Sequence, residues 1–170
     1  MRFFNSLKYL LKAVTIKKLK DELSHKSNDE LKELCLHLSR FKKENKELLT
    51  YLLFESHNED GYILSIKDVM DEQFSEINTK SYFYIRKSTR KILSQIKKFI
   101  RYSKKKETEA ELLLYFCNKM LELSPSIQRS QRLQNIFNTQ IRMIKNAISK
   151  LHEDLQYDLQ LELDELLEND

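Results

Sequence analysis

His57 stands in the run ESHNED with Glu55, Glu59 and Asp60 around it, and His152 directly precedes Glu153 and Asp154. An imidazole beside carboxylates can hold a divalent ion or pass a proton, so metal or acid–base chemistry would have to start at these two stretches. Neither has the spacing for it. A helical zinc site needs two histidines four apart on one face, and each cluster supplies one, so only the fold could bring them together. His25 and His37 stand apart from the carboxylate clusters, and no Ser, Thr or Cys is identifiable as the partner of a catalytic base. Cys35 and Cys117 lie among apolar neighbours without CxxC spacing, so both are expected as buried thiols. The reading is of a noncatalytic protein with no catalytic residue, metal ligand or cofactor site assigned. A metal-assisted enzyme centred on His57 is the third and remotest reading.

The basic residues are distributed with more purpose. Between Glu76 and Glu107 there is no acid, while Lys80, Arg86, Lys87, Arg90, Lys91, Lys97, Lys98, Arg101, Lys104, Lys105 and Lys106 are all cationic. At ~100° per residue these side chains fill one side of a helix, and Ile92, Ile96 and Phe99 fill the other. Tyr84 and Tyr102 border the basic side, where an aromatic ring can stack on a nucleic-acid base. A smaller cluster, Arg40, Lys42, Lys43 and Lys46, occurs earlier in the phrase RFKKENKELLTYLLF. Beyond Lys150 the sign reverses: Glu153, Asp154, Asp158, Glu162, Asp164, Glu165, Glu168 and Asp170 come with no Lys or Arg.

These residues must be held by helices. The chain has 170 residues with one Gly and one Pro, and tight hairpins and phosphate-cradling loops need residues that tolerate positive φ. Nucleotide-binding turns of the Rossmann or Walker type are therefore excluded. Lys, Glu and Leu dominate and favour helix. The expectation is an all-α fold, a single domain over 1–170 built as a stack of about seven or eight antiparallel helices.

Along the chain, apolar residues at helical spacing predict an N-terminal helix over 3–24. The run SNDE at 27–30 is a capping box, opening a helix with Leu31, Leu34, Cys35, Leu38 and Phe41 as its buried stripe. Asn45 is expected to cap the next helix, and the loop ESHNEDG to end at Gly61. Thr108 with Glu111 repeats the capping-box pattern before LLLYFC, whose apolar residues on every side describe a helix enclosed by others. Residues 127–167 read as one long helix or as two meeting near His152–Asp154, ending in an acidic helix over 152–168.

Setting Phe41 on Tyr102 places Leu31 on Ile92, Cys35 on Ile96 and Leu38 on Phe99, and a small insertion in the second copy brings KKEN onto KKET. This predicts two three-helix repeat units, 27–78 and 81–151, within an α–α superhelix or bundle. Stacked in parallel, they would set their two basic turns along one edge.

The function expected is that of a noncatalytic binding or adaptor module. Its partner surface is assigned to Arg40, Lys42, Lys43, Lys46, Arg86, Lys87, Arg90, Lys91, Lys97, Lys98, Arg101, Lys104, Lys105 and Lys106. An acidic protein is one partner that suits it; the alternative is sequence-independent nucleic-acid binding through phosphates. A further expectation is that the acidic C-terminal helix masks the basic one within the molecule. No apolar run reaches the ~18 residues of a spanning helix, and polar residues interrupt the N-terminal stretch where a leader would need an apolar core, so a cytoplasmic location is expected. Phe3 and Phe4, with Arg2, Lys8, Lys12, Lys17, Lys18 and Lys20, make the first helix the one segment with a membrane-surface option.

Overall fold

A computed structural model of the chain describes residues 13–168, and every regular element among them is helical. The chain divides into two compact units, Met1–Leu49 and Thr50–Asp170. The repeat unit inferred over 27–78 spans both.

The first unit holds α1 (Ile16–Leu23), α2 (Asn28–Phe41) and most of α3 (Lys43–Thr50). Thr15 caps α1. The capping box at α2 forms as the sequence predicts: Ser27 Oγ accepts from the Glu30 amide at 3.2 Å, and the Glu30 carboxylate accepts from the Ser27 amide at 2.9 Å. Asn45 does not cap α3. That helix begins two residues earlier, and the Asn45 amide donates back to the Leu38 carbonyl at 2.8 Å, tying the turn to the end of α2. The stripe expected to be buried is not: Leu34, Leu38 and Phe41 are 41, 57 and 73% exposed, and Cys35 is exposed too. A unit this short has little interior to offer. Residues 3–12 of the expected N-terminal helix lie outside the described residues.

The second unit contains the core. A π-helical turn, Tyr51–Glu55, continues from α3 and leads to α4 (Glu59–Ser75). Gly61 does not end the loop but sits inside the first turn of α4, where Asn58 is the cap and accepts from the Gly61 amide at 3.1 Å. A Cβ at position 61 would fall 2.4 Å from the Asn58 side chain, so the single glycine makes room for a cap. Next come α5 (Tyr82–Ser103), α6 (Lys106–Leu121), a 3₁₀ turn (Ile127–Arg129) that follows a cis Ser124–Pro125 peptide, α7 (Gln131–Ile148) and α8 (Glu153–Glu168). Residues 127–167 are thus two helices broken at Ser149–His152.

The segment LLLYFC is enclosed as its composition implies. Helix α6 touches α4, α5, α7 and α8, and Leu112, Leu113, Phe116, Cys117 and Met120 have no measurable exposure. Ile85, Ile92 and Ile96 of α5 and Leu133, Phe137 and Ile144 of α7 pack toward it with exposures of 3% or less. Burying each such side chain contributes about 1.5–3 kcal/mol, so α6 is the axis of the unit's stability. Both α5 and α7 lean on α6 and make no more than marginal contact with each other.

Candidate functional site

The densest polar cluster surrounds Glu59. Its carboxylate accepts hydrogen bonds from Tyr51 at 2.8 Å, from Thr108 at 2.6 Å and from Ser103, and pairs with Lys105 at 3.0 Å. Burial by itself raises the Glu59 pKa, but the hydrogen bonds from Ser103, Thr108, Lys105 and Tyr51 outweigh it and hold the group below the ordinary glutamate range. Such a carboxylate stays ionised and has no free lone pair aimed at a substrate. It works as a fastener, joining the start of α4 to the turn between α5 and α6. This is also why Thr108 makes no capping box: α6 begins at Lys106, and the Thr108 hydroxyl is already committed to Glu59. His57, beside it in sequence, is exposed, and no group of three His, Cys, Asp or Glu among the described residues is placed to hold a metal ion.

The α5–α6 turn contains the second basic phrase. Lys104 closes α5 in the left-handed region at φ 60°, its amide donating to the Ile100 carbonyl at 2.9 Å. Lys105 is neutralised by Glu59, and Lys106 pairs with Glu109. Of the turn's candidates, Arg101 and Lys104 form no ion pair among the described residues. In the first unit, Lys43 pairs with Glu47 at 3.6 Å, Arg40 lies in a hollow with Glu30 and Glu33, and Lys42 is exposed as the α2 C-cap.

On α5 the candidates sort into two stripes. Taken at ~100° per residue, Arg86, Lys97, Arg90 and Arg101 fall within ~60° of one another, while Lys87, Lys98 and Lys91 follow within a further ~40° arc. The second stripe is partly engaged: Lys91 shares a hollow with Gln73 and Glu76, and the Lys98 ammonium stands 5.4 Å from the Phe99 ring centre. In the first, Arg86 lies over the Phe83 ring at 5.9 Å. Tyr102 does not border the basic face as expected. It is 8% exposed and packs edge-on against Phe99, which in turn meets Tyr62, so an aromatic cluster claims it. Tyr84 stays 46% exposed beside Phe83.

Arg90, Lys97 and Arg101 form one wall of a groove of about 590 Å³ between α5 and α7. Leu93 and Ile136 supply its apolar surface, and Asn135, Thr139 and Gln140 of α7 form the facing wall. No acid lines it. The reason lies in the chain: α5 falls in the acid-free stretch between Glu76 and Glu107, and α7 falls in a second one, between Glu122 and Glu153, that contains Arg129, Arg132, Arg142, Lys145 and Lys150. The fold sets these stretches on adjacent sides of α6. Burial pushes the Lys97 ammonium below the usual lysine range, against a smaller opposing effect of Glu109, whose carboxylate is paired with Lys106. Gln140 is 1% exposed; its Nε2 donates to the Ile136 carbonyl at 2.9 Å, and its Oε1 has no partner among the described residues. The α7 wall was not singled out in sequence, and its signal was the second acid-free window.

The acidic helix α8 packs on α6 and α7 through Leu159, Leu163 and Leu166. Burial, and then the Glu111 carboxylate, push Glu162 above the ordinary range, which places this part of α8 by the Lys67–Glu111 ion pair linking α4 to α6. No helix among the described residues is long and apolar enough to cross a membrane. Comparison with family models, with curated proteins and with solved structures finds no match for the chain.

Proposed function

We propose that the protein is a noncatalytic binding module that engages nucleic acid through phosphates, using the Arg86–Arg90–Lys97–Arg101 stripe of α5 and the groove beside it. The observation that carries this reading is the pairing of two acid-free helices. Three cations of one and three amide or hydroxyl side chains of the other face a shared groove in which Lys97 is partly desolvated and forms no ion pair among the described residues. A partly desolvated cation is favoured by an anion beside it, and a phosphate backbone supplies one at each nucleotide. Lys104 and Lys87 extend the surface at its ends, and Lys42 and Arg40 of the first unit are candidates for a separate contact.

The reading is tested by hydrogen exchange of the full chain with and without a mixed-sequence oligonucleotide at low salt. Protection confined to the side of α5 and α7 that borders the groove is expected, and unchanged exchange there counts against it.

A second reading, an adaptor for an acidic protein, is favoured by Phe83 and Tyr84, which are 59% and 46% exposed next to Arg86. Exposed aromatic rings beside an arginine are the composition of binding hot spots. Masking by α8 receives less support, because the helix is packed on α6 and α7.

A further inference from the structure

We propose that the α5–α7 groove is built for RNA in preference to DNA, seating a single-stranded backbone with phosphates on Arg90, Lys97 and Arg101 and a ribose 2′-hydroxyl donating to Gln140. This deepens the nucleic-acid reading above and rests on it.

The hydrogen-bond inventory of the groove is the starting point. Arg90, Lys97 and Arg101 can only donate, and each forms no ion pair among the described residues, so this wall, whose two arginines are exposed, favours an acceptor bearing negative charge. Gln140 requires the opposite. Its Nε2 is occupied by the Ile136 carbonyl, which fixes the orientation of the amide and leaves Oε1 as an acceptor in need of a donor. A buried polar atom without a partner is costly, and native structures keep few of them. A ligand that satisfies both walls therefore carries both an anion and an O–H or N–H donor.

A phosphodiester offers only acceptors. A ribose adds a hydroxyl next to each phosphate; a deoxyribose does not, and that hydroxyl is what lets a protein distinguish the two polymers. The remaining features fit a backbone better than a base. Leu93 and Ile136 present apolar surface suited to the carbon face of a sugar, and no aromatic ring among the described residues lines the groove to serve as a platform on which a base would stack. From Arg90 to Arg101 the cationic wall runs ~16 Å along the helix, at 1.5 Å per residue, which is the length of several nucleotides rather than of a single phosphate. The contacts read no base edge, so the binding is sequence-independent.

The test is fluorescence anisotropy of the full chain, at low salt, with labelled single-stranded RNA and DNA of the same mixed sequence and with a polyglutamate peptide. RNA is expected to bind about 3- to 10-fold more tightly than DNA, the effect of one hydrogen bond to a buried acceptor. In Gln140→Met, which keeps the volume and removes the acceptor, the RNA-to-DNA ratio is expected to fall toward one. Equal affinity for RNA and DNA in the unmodified protein overturns this inference while leaving the nucleic-acid reading standing. Retention of the ratio in Gln140→Met overturns the assignment of the hydroxyl. Binding of polyglutamate in place of either nucleic acid, or binding of none of the three, overturns both. The ratio in the unmodified chain decides the matter even if the variant fails to fold.

Discussion

The Glu59 carboxylate in the first turn of α4 accepts a 2.6 Å hydrogen bond from Thr108, forty-nine positions later in the first turn of α6. Together with Tyr51, Ser103 and Lys105 it anchors the one turn that separates the basic helix from the apolar one. The orientation of Arg101 and Lys104 depends on that anchor, because both lie at the end of α5 that it holds.

Glu59→Gln should lower stability by about 2 kcal/mol at neutral pH, since it removes a charge from several hydrogen bonds that involve part-buried hydroxyls. The sign of the pH dependence follows from the depressed Glu59 pKa: the contribution is fully present above the ordinary glutamate value of about 4.3 and is lost as pH falls through the lower folded-state value. Urea denaturation at pH 7 and at pH 3 measures this. The difference between unmodified protein and variant should be large at the first and shrink at the second.

Lys97→Met should raise stability by about 0.5–1 kcal/mol and weaken nucleic-acid binding at the same time. Burial holds the Lys97 ammonium below the usual range, so the folded state disfavours its charge; stability should rise with pH between the depressed value and the ordinary lysine value of about 10.4. Thermal melts and binding isotherms of one preparation would show the opposed effects. A variant that is both less stable and equally active would mean Lys97 is a packing residue.

Lys104→Gly should stabilise the fold by up to about 1 kcal/mol, because an L-residue with a Cβ pays about 1–2 kcal/mol in the left-handed region that glycine occupies freely, less the entropy glycine loses elsewhere. The melting temperature reports it.

Neutralising Asp154 and Asp158 to Asn should change nucleic-acid affinity by less than about twofold, since exposed charges act weakly across a screened solvent and α8 is held on α6 and α7. A large gain in affinity would restore the expectation that the acidic helix covers the basic one. Substitution is preferable to deleting α8, whose Leu163 and Leu166 are at most 1% exposed and would leave the core open.

Local signals carried much of the fold in the sequence. SNDE specified the capping box at Ser27, LLLYFC specified an enclosed helix, and Ile85, Ile92 and Ile96 specified the inner face of α5, because each depends on neighbours within a few turns. Features set by distant partners were not legible. The Thr108–Glu111 pattern is genuine in sequence, yet Glu59 takes the threonine hydroxyl; Tyr102 sits among basic residues in sequence, yet Phe99 encloses it. Lys105 and Lys106 look as free as Arg90 until their acids are seen in space. Half of the groove was legible, since its cations sit on an obvious stripe. Asn135, Thr139 and Gln140 looked like any solvated helix face, and only the placement of α7 beside α5 gives them a role.

The account stands most directly on a salt titration of single-stranded RNA binding by the unmodified protein and by a variant with Arg90, Lys97 and Arg101 each changed to Glu. If three phosphates are held, the logarithm of the affinity should fall against the logarithm of salt with a slope of about −2, and the variant should bind at least about tenfold more weakly with a flatter slope. A shallow slope in the unmodified protein, or a variant that still matches it at low salt, would contradict the assignment of this surface.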